Sequence, residues 1–307
     1  MTNVALMAMG IAACSYGDSI FRVIIGGILI GLFWQQCGWL SHDFLHHQVF
    51  KNRSYNNAVG YITGNVFQGF SVSWWKAKHN LHHACPNVAG FDPDIDTLPF
   101  LAWSEKLIEG ELEGLPQFLV KYQYIFYFPL LSAARISWLI QSFLFGLYKS
   151  APAKRNTEVI TLLLHYTWYF SVIYFTLTWK EAILFVILSQ ATTGLFLASA
   201  FSLGHNGMSI ITKNTFNETD FNKLQILTGR DVSGPSFVHW FMGGLDLQVE
   251  HHLYPKIPRH NLSTVQQYVV KICKDNNIHH HMTGFWDGTK ETISTLFTVS
   301  ENAVPSK

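Results

Sequence analysis

Long apolar stretches, each close to the roughly 20 residues that cross a bilayer as a helix, constrain the fold of this chain most strongly. The first runs from Ile20 to Leu40, with Arg22 near one end and Trp34 and Trp39 near the other. Basic residues and tryptophans at the ends of an apolar segment are typical of transmembrane helices. Further apolar stretches lie at Tyr122 to Tyr148, Val159 to Thr178 and Ala182 to Leu203. The sequence therefore predicts a helical integral membrane protein.

The composition agrees with a membrane protein. Of the 307 residues, 49% are hydrophobic and 13% are charged, whereas about a quarter of residues are charged in soluble domains. The net charge is +1, so the charge balance suggests no nucleic-acid partner. The cysteines are widely spaced and form no CxxC motif, so we expect reduced thiols. They are Cys14, Cys37, Cys85 and Cys273.

Histidines occur at helical spacing in three separate segments. His79, His82 and His83 stand at i, i+3 and i+4, so a helix is expected to direct the three imidazoles toward a common point. His42 and His46 form an i, i+4 pair. A third segment repeats the i, i+3, i+4 spacing with glutamine in the first position, as Gln248, His251 and His252.

These side chains predict metal binding. A single histidine pair is more often structural, but three such segments in one chain favour metal. Seven histidines and a glutamine exceed the three or four protein ligands of a zinc ion, so we expect two ions. Imidazole-rich, thiolate-free coordination suits iron, copper or zinc, and ligand softness does not separate them.

The three segments resemble the histidine boxes of membrane fatty-acid desaturases. In order they read His42-Asp43-Phe44-Leu45-His46, His79-Asn80-Leu81-His82-His83 and Gln248-Val249-Glu250-His251-His252. The glutamine that opens the third box is similar to the front-end branch of that family. The flanking motifs are also similar to that branch: Gly38-Trp39-Leu40, Pro86-Asn87, Asp92-Pro93-Asp94, Gly229-Arg230-Asp231-Val232, Trp240-Phe241-Met242-Gly243-Gly244 and the run from Leu253 to Asn261. The resemblance covers residues 34–261.

The resemblance implies one all-α desaturase domain over residues 1–307, with membrane helices, a cytosolic helical cap around two iron ions, and a cytosolic tail at 262–307. It implies insertion of a cis double bond between an existing double bond and the carboxyl end of a polyunsaturated acyl chain, at delta-5 or delta-6. The implied partners are O2, an acyl-CoA or acyl-phospholipid, and cytochrome b5 with its reductase. The implied location is the endoplasmic reticulum membrane, with the boxes facing the cytosol.

Two other functions stay open. A sphingolipid desaturase or lipid hydroxylase uses the same kind of metal centre. A membrane electron carrier with bis-histidine haem is a more distant alternative, and it predicts paired histidines deep within the spans.

Isolated histidines extend the site prediction. Gly204-His205-Asn206-Gly207 resembles the extra histidine that desaturases add to their boxes at the end of a membrane helix. The implied metal ligands are His42, His46, His79, His82, His83, His205, Gln248, His251 and His252. We expect His165 to line a polar helix contact, His239 to support a ligand from outside, and His279 to His281 to form a solvated patch.

A parity argument orders the membrane crossings. The second and third boxes must meet on one membrane face, so an even number of crossings separates them. Because Arg135 lies centrally in an apolar stretch and is costly in lipid, Tyr122 to Tyr148 is predicted not to cross. Asparagines and glycines interrupt Tyr55 to Trp75, which is therefore predicted to be re-entrant or interfacial.

Two shorter segments complete the expectations. Asp92, Asp94 and Asp96 predict a solvated turn; the alternative is that one of them accepts an N–H from a ligand histidine. Met1 to Cys14 gives only about 21 Å of helix, against a hydrocarbon core of roughly 30 Å. Front-end desaturases usually begin with a fused cytochrome b5 domain marked by His-Pro-Gly-Gly, a motif that this sequence does not contain. We therefore expect a truncated or alternative product that lacks this domain and depends on an external electron donor.

Overall fold

The computed structural model describes residues 2–303, which are predominantly helical with little strand, and this confirms the predicted all-α class. The α-helices are α1 (Thr2–Ser15), α2 (Ile20–Leu45), α3 (Arg53–Gly60), α4 (Val72–Ala84), α5 (Gly114–Lys121), α6 (Gln123–Leu144), α7 (Pro152–Thr176), α8 (Trp179–His205), α9 (Lys213–Glu218), α10 (Phe221–Thr228), α11 (Ser236–Met242), α12 (Gln248–Leu253), α13 (Leu262–Asp275) and α14 (Phe285–Ala303). π-Helical turns occupy Tyr61–Gln68 and Phe145–Lys149, and 3-10 turns occupy Glu105–Leu107 and Arg259–Asn261. Two short strands, β1 (Asp231–Ser233) and β2 (Met282–Gly284), pair in parallel.

The chain forms two compact units. The first unit comprises Met1–Ala77 and Leu131–Ala198, and the second unit comprises Lys78–Leu130 and Ser199–Lys307. The single desaturase domain over residues 1–307 stays a prediction.

Within residues 2–303, four helices are long and apolar enough to cross a membrane: Ile20–Leu45, Gln123–Lys149, Pro152–Thr176 and Trp179–His205. The turn between the last two falls at Leu177 and Thr178, at the end of the apolar stretch Val159 to Thr178. The Glu181 carboxylate accepts hydrogen bonds from the backbone N–H and the hydroxyl of Thr178, each at 2.8 Å. Glu181 therefore satisfies the backbone N–H of Thr178, which is the glutamate half of a capping box at the start of α8.

Glycines on α2 allow its close approach to α8 in the first unit. A Cβ atom placed on Gly31 would lie 2.6 Å from the Cβ of Thr192, and one on Gly27 would lie 2.9 Å from the Cβ of Leu188. Small residues bring helix backbones together in membrane proteins in this way. Near the start of α2, Arg22 pairs with Glu181 at 2.7 Å.

The polar residues that interrupt the segment from Tyr55 to Trp75 are bonded to protein. The side-chain amide of Asn65 donates to Glu158 and Thr161, each at 2.9 Å, and its oxygen accepts from the backbone N–H of Val72. The helix breaks at Gly69, whose φ of 88° lies in the left-handed region that favours glycine. Among the described residues, this segment is not one of the candidate spans. A helix break at this position agrees with a re-entrant segment. That the segment from Tyr55 to Trp75 enters the membrane stays a prediction.

The position of Arg135 weakens the prediction that Tyr122 to Tyr148 does not cross the membrane. That prediction assumed that the arginine would be exposed to lipid. Its guanidinium is fully buried in protein, donates to the Gln190 side chain at 2.9 Å and to the backbone oxygen of Gln68 at 2.6 Å, and lies 4.0 Å from the ring centroid of Trp34. The cost of placing an arginine in lipid therefore does not apply. By length and composition the segment could cross, so its exclusion now depends only on the parity argument and stays a prediction.

Residues of the C-terminal segment up to 303 pack into the second unit, while the cytosolic tail at 262–307 stays a prediction. β2 pairs with β1, and the side chain of Gln123 donates to the backbone oxygen of Leu296 at 2.8 Å. Leu296 and Val299 of α14 are buried. The resemblance ended at Asn261, but residues beyond it complete the core of this unit.

We expect Gly31→Ala to lower the free energy of unfolding by about 1–3 kcal/mol, because the added methyl group overpacks the contact with Thr192. Thermal unfolding of the purified protein in detergent measures the change. Gly146→Ala is the control, since its nearest neighbour would be Leu162 at an ordinary 3.4 Å. Equal melting temperatures for the two variants would contradict this account of the helix contact.

Candidate metal centre

The second box lies in the last turns of α4, and its three imidazoles point in two directions rather than toward a single point. The Nε2 atoms of His79 and His83 are 3.0 Å apart, as expected for an i, i+4 pair. The ring of His82 lies 5.9 Å from that of His79 and 6.0 Å from that of His83. Neighbouring positions on a helix are rotated by about 100°, so His82 and His83 serve different groups of residues.

His82, His205 and His252 form the inner cluster. All three are buried, and a ligand atom from each lies within 4.8 Å of the others. The Nε2 atoms of His205 and His252 are 3.0 Å apart. The ring of His82 lies 4.5 Å from that of His205 and 4.9 Å from that of His252. The end of α8 thus places His205 beside the second and third boxes, and its role as a metal ligand stays a prediction.

The outer nitrogen of each inner-cluster ring has an acceptor. His82 Nδ1 is 3.0 Å from Asp92, His205 Nδ1 is 2.8 Å from the backbone oxygen of Thr228, and His252 Nδ1 is 2.9 Å from Gln225 Oε1. A carboxylate, a carbonyl oxygen and an amide oxygen can only accept, so each Nδ1 carries the proton. Each neutral ring then presents an Nε2 lone pair to the inside of the cluster.

Facing lone pairs at this separation repel unless a cation lies between them. The arrangement, with N–H groups bonded outward and lone pairs inward, is the one that metal-ligating histidines adopt. The donor set of the inner cluster therefore fits a metal ion.

His79, His83 and His251 form the outer cluster. The Nε2 atom of His83 lies 3.0 Å from that of His79 and 3.1 Å from that of His251. The His83 ring stacks on the His252 ring at 4.0 Å with an angle of 9° between planes, so the two clusters adjoin. Two adjoining groups of imidazoles suit two metal ions.

Gln248 points toward the inner cluster. Its amide Nε2 lies 2.8 Å from His205 Nε2, and its side chain packs so closely on Gly204 that a Cβ atom there would lie 2.9 Å from Gln248 Cγ. An amide that turned over would offer its oxygen in the same place. Its role as a ligand stays a proposal.

The first box lies in the first unit. His42 and His46 form the predicted i, i+4 pair, with ring centroids 4.5 Å apart, and both rings make edge contacts with Trp75. His47 turns away through a positive φ of 60°, and its Nε2 lies 3.2 Å from Asn57 Oδ1. His47 is not among the predicted metal ligands.

Asp92 is buried and is not part of a solvated turn. It is the aspartate of this segment that accepts an N–H from a histidine, as the alternative interpretation expected. It is 1% exposed and accepts hydrogen bonds from His82 Nδ1, from Asn87 N at 2.7 Å and from Asp94 N at 2.9 Å. Burial raises its pKa, but His82 and the backbone N–H groups outweigh burial and lower it. Burial in turn lowers the pKa of His82, and Asp92 and Asp94 outweigh that effect and raise it. Asp94 and Asp96 are exposed.

The prediction of a solvated patch at His279 to His281 is wrong for its central member. The side chain of His280 is 7% exposed and lies 3.2 Å from Asp231 and 3.4 Å from Glu250, both fully buried. These two carboxylates raise the pKa of His280 to about 10. Burial raises the pKa of Glu250 to about 7, against the opposing effect of His280. The third box therefore contains an acidic residue whose partner comes from the C-terminal segment.

His165 and His239, which are outside the predicted ligand set, each have hydrogen-bond partners in the protein. His165 Nδ1 donates to the backbone oxygens of Val66 and Phe67, each at 3.1 Å, as expected for a polar contact within a span. That environment does not support a bis-histidine haem. His239 pairs with Asp246, and this pairing raises its pKa.

Some supporting residues left no recognisable signal in the sequence. Gln225 and Thr228 lie on α10 in an ordinary polar helix, and no spacing relates them to His252 or His205. Asp231 did carry a signal, since it belongs to Gly229-Arg230-Asp231-Val232, one of the motifs on which the resemblance depends.

Comparison with known proteins assigns the family, because the fatty acid desaturase family model matches residues 19–284. The chain belongs to the fatty acid desaturase family. The resemblance drawn from the histidine boxes is therefore confirmed, and the family match also includes His280.

Among curated desaturases, the chain is 38% identical over 309 residues to the acyl-lipid (9-3)-desaturase of Physcomitrium patens. The aligned region covers 99% of this chain and 58% of that relative. It is 38% identical over 272 residues to the delta(5) fatty acid desaturase fat-4 of Caenorhabditis elegans, covering 84% of this chain and 60% of the relative. It is 35% identical over 292 residues to the delta(6)-fatty-acid desaturase fat-3 of the same organism, covering 91% of this chain and 65% of the relative. The chain thus spans about three fifths of the length of these desaturases.

We expect Asp92→Asn to weaken metal retention about 10–100-fold, because an amide lacks the charge that strengthens and orients His82. The metal that the purified protein retains during dialysis against graded chelator measures the effect. Asp96→Asn is the matched control, since Asp96 is an exposed member of the same acidic segment. Unchanged retention in Asp92→Asn would show that this carboxylate does not support a metal ligand.

Proposed function

We propose that this chain is a front-end fatty-acyl desaturase that inserts a cis double bond between an existing double bond and the carboxyl end of a polyunsaturated acyl chain. The observation that carries the proposal is the inner cluster, in which three outward hydrogen bonds aim three Nε2 lone pairs at one point. The relatives named delta(5), delta(6) and (9-3) desaturases support the front-end assignment, at delta-5 or delta-6.

The proposed reaction balances with O2 as oxidant. Two C–H bonds on adjacent carbons break and a C=C bond forms. O2 takes up the two substrate hydrogens, two protons and two electrons, and leaves as two water molecules. When bound, two iron ions would supply the O2-dependent oxidising power that amino-acid side chains lack.

We propose nine ligands for this iron pair. His82, His205 and His252, with Gln248, belong to the inner cluster, and His79, His83 and His251 belong to the outer cluster. His42 and His46 of the first box complete the set. Nine ligands suit two ions, since one ion commonly takes about four protein side chains.

The protein's own residues hold the ligands in one protonation state. Asp92, Gln225 and Thr228 accept the Nδ1 protons, which keeps each Nε2 available as a ligand. The buried surroundings exclude water, and the acyl chain is proposed to be positioned so that one pair of carbons lies at the metals.

The proposed partners follow from the chemistry. The substrate is a fatty acyl chain carried by CoA or by a phospholipid, and the two electrons come from cytochrome b5 and its reductase. The apolar helices support a membrane location, which we propose to be the endoplasmic reticulum with the boxes facing the cytosol.

We expect alanine at His82, His205 or His252 to abolish desaturation while the protein is still made. The full chain is expressed in yeast with linoleic, alpha-linolenic and C20 polyunsaturated acids, and the fatty acids are profiled by mass spectrometry. His260→Ala, at an exposed position after the third box, is the control. A hydroxylated product would replace the proposal by a hydroxylase, and full desaturation by all three alanine variants would refute the ligand assignment.

Gln248→His should reduce turnover several-fold, because an imidazole is a firmer and bulkier ligand than an amide and Gly204 leaves little space behind it. The same profiling in yeast, normalised to protein level, measures the change. Gln267→His is a control for glutamine replacement, since Gln267 is exposed on α13 and lies outside both histidine clusters. Wild-type turnover with an unchanged double-bond position would mean that Gln248 does not tune the metal site.

A further inference from the structure

We propose that Asp231, Glu250 and His280 bind a divalent transition-metal ion, of which Zn²⁺ is the representative, at a third site distinct from the two histidine clusters. The three residues offer one ligand atom each, and these atoms lie within 4.8 Å of one another. They come from β1, from α12 and from the segment before β2. This proposal does not depend on the desaturase reaction.

The first observation is that Glu250 is buried without hydrogen bonds. Its side chain is fully buried, and neither carboxylate oxygen has a hydrogen-bond partner within residues 2–303. The Nε2 atom of His280 is buried and lacks a hydrogen bond in the same part of the chain. Burying a carboxylate is costly unless it is paired or coordinates a metal. A cation between Glu250 and His280 would satisfy both groups.

The second observation is the spacing of the donor atoms. His280 Nε2 lies 3.2 Å from Asp231 Oδ2 and 3.4 Å from Glu250 Oε1. Charge-assisted hydrogen bonds between nitrogen and oxygen are shorter, about 2.7–2.9 Å. Ligands at about 2.0–2.2 Å from a tetrahedral zinc ion are separated by about 3.3–3.6 Å. The separation of 3.4 Å between His280 and Glu250 lies in this range, and the separation of 3.2 Å between His280 and Asp231 lies just below it.

The third observation is the balance of charge. A neutral imidazole and two carboxylates carry a charge of −2, which a divalent cation cancels. A protonated His280 compensates only one of the two carboxylates, so without a cation Glu250 has to be protonated as well. Asp231 is oriented for this role, since its Oδ1 accepts from Val249 N at 3.0 Å and its Oδ2 accepts from Gln266 at 2.8 Å.

The class of ion follows from the ligands. Two carboxylate oxygens and one imidazole suit borderline divalent ions such as Zn²⁺, and three protein ligands leave a fourth position for water. The ion would tie the C-terminal segment to the third box, because Glu250 lies directly before His251 in the chain. Its expected effect is structural.

Metal counting tests the site. The full chain is purified in detergent, stripped with chelator, reloaded with Zn²⁺ alone and analysed by mass spectrometry for bound zinc. We expect Glu250→Gln and His280→Leu each to hold one zinc ion per chain fewer than wild type. His279→Leu, at the exposed neighbouring position, should keep the wild-type count. Wild-type zinc counts in both Glu250→Gln and His280→Leu would overturn the proposal in favour of a protonated His280 paired with the carboxylates.

A second measurement on the wild-type chain does not depend on the variants folding. Backbone hydrogen exchange is followed in the peptide 278–284 before and after zinc is restored. Because the histidine clusters draw their ligands from other segments, zinc-dependent protection of this peptide reports on the third site. We expect exchange there to slow at least tenfold with Zn²⁺. Exchange that is insensitive to zinc would overturn the proposal, whatever the activity of the enzyme.

Discussion

The hydrogen bonds behind the inner-cluster imidazoles are the interactions on which the site depends. Three neutral rings with their lone pairs converging are unfavourable in a buried place unless each ring is fixed from outside. A loop carboxylate, a side-chain amide and a backbone carbonyl supply that support. Each of the three imidazoles has its own acceptor, so the tautomer of each ring is set by a separate contact.

Helix α10 is central to this support. Gln225 accepts from His252 through its oxygen and donates through its nitrogen to the backbone oxygen of His83, at 3.2 Å. Thr228, three residues further on, accepts from His205. The helix therefore contacts the third box, the end of α8 and the second box at once. Asn87 continues the network, since its backbone bonds Asp92 and its side chain donates to the backbone oxygen of His205.

Much of this arrangement could be predicted from the sequence, since apolar length and i, i+3, i+4 spacing are local properties. The spans and the box helices follow from them. Contacts between distant segments could not be predicted in the same way. Arg135 suggested a cost in lipid, but its partners Gln68 and Gln190 are distant in sequence. Asp92 and His280 looked solvated because a polar run gives no indication of which member is buried. Asp92 is buried because it pairs with His82, and His280 is buried because it pairs with Asp231 and Glu250.

The division of the second box between the two clusters makes α4 a mechanical link. His82 and His83 are consecutive residues on one helix, yet they belong to different clusters. A small rotation or shift of α4 would move a ligand of each cluster in the same instant, so neither could relax alone. The helix begins at Val72, shortly after the left-handed turn at Gly69. A substitution that turned α4 about its own axis would therefore displace one imidazole of each cluster together.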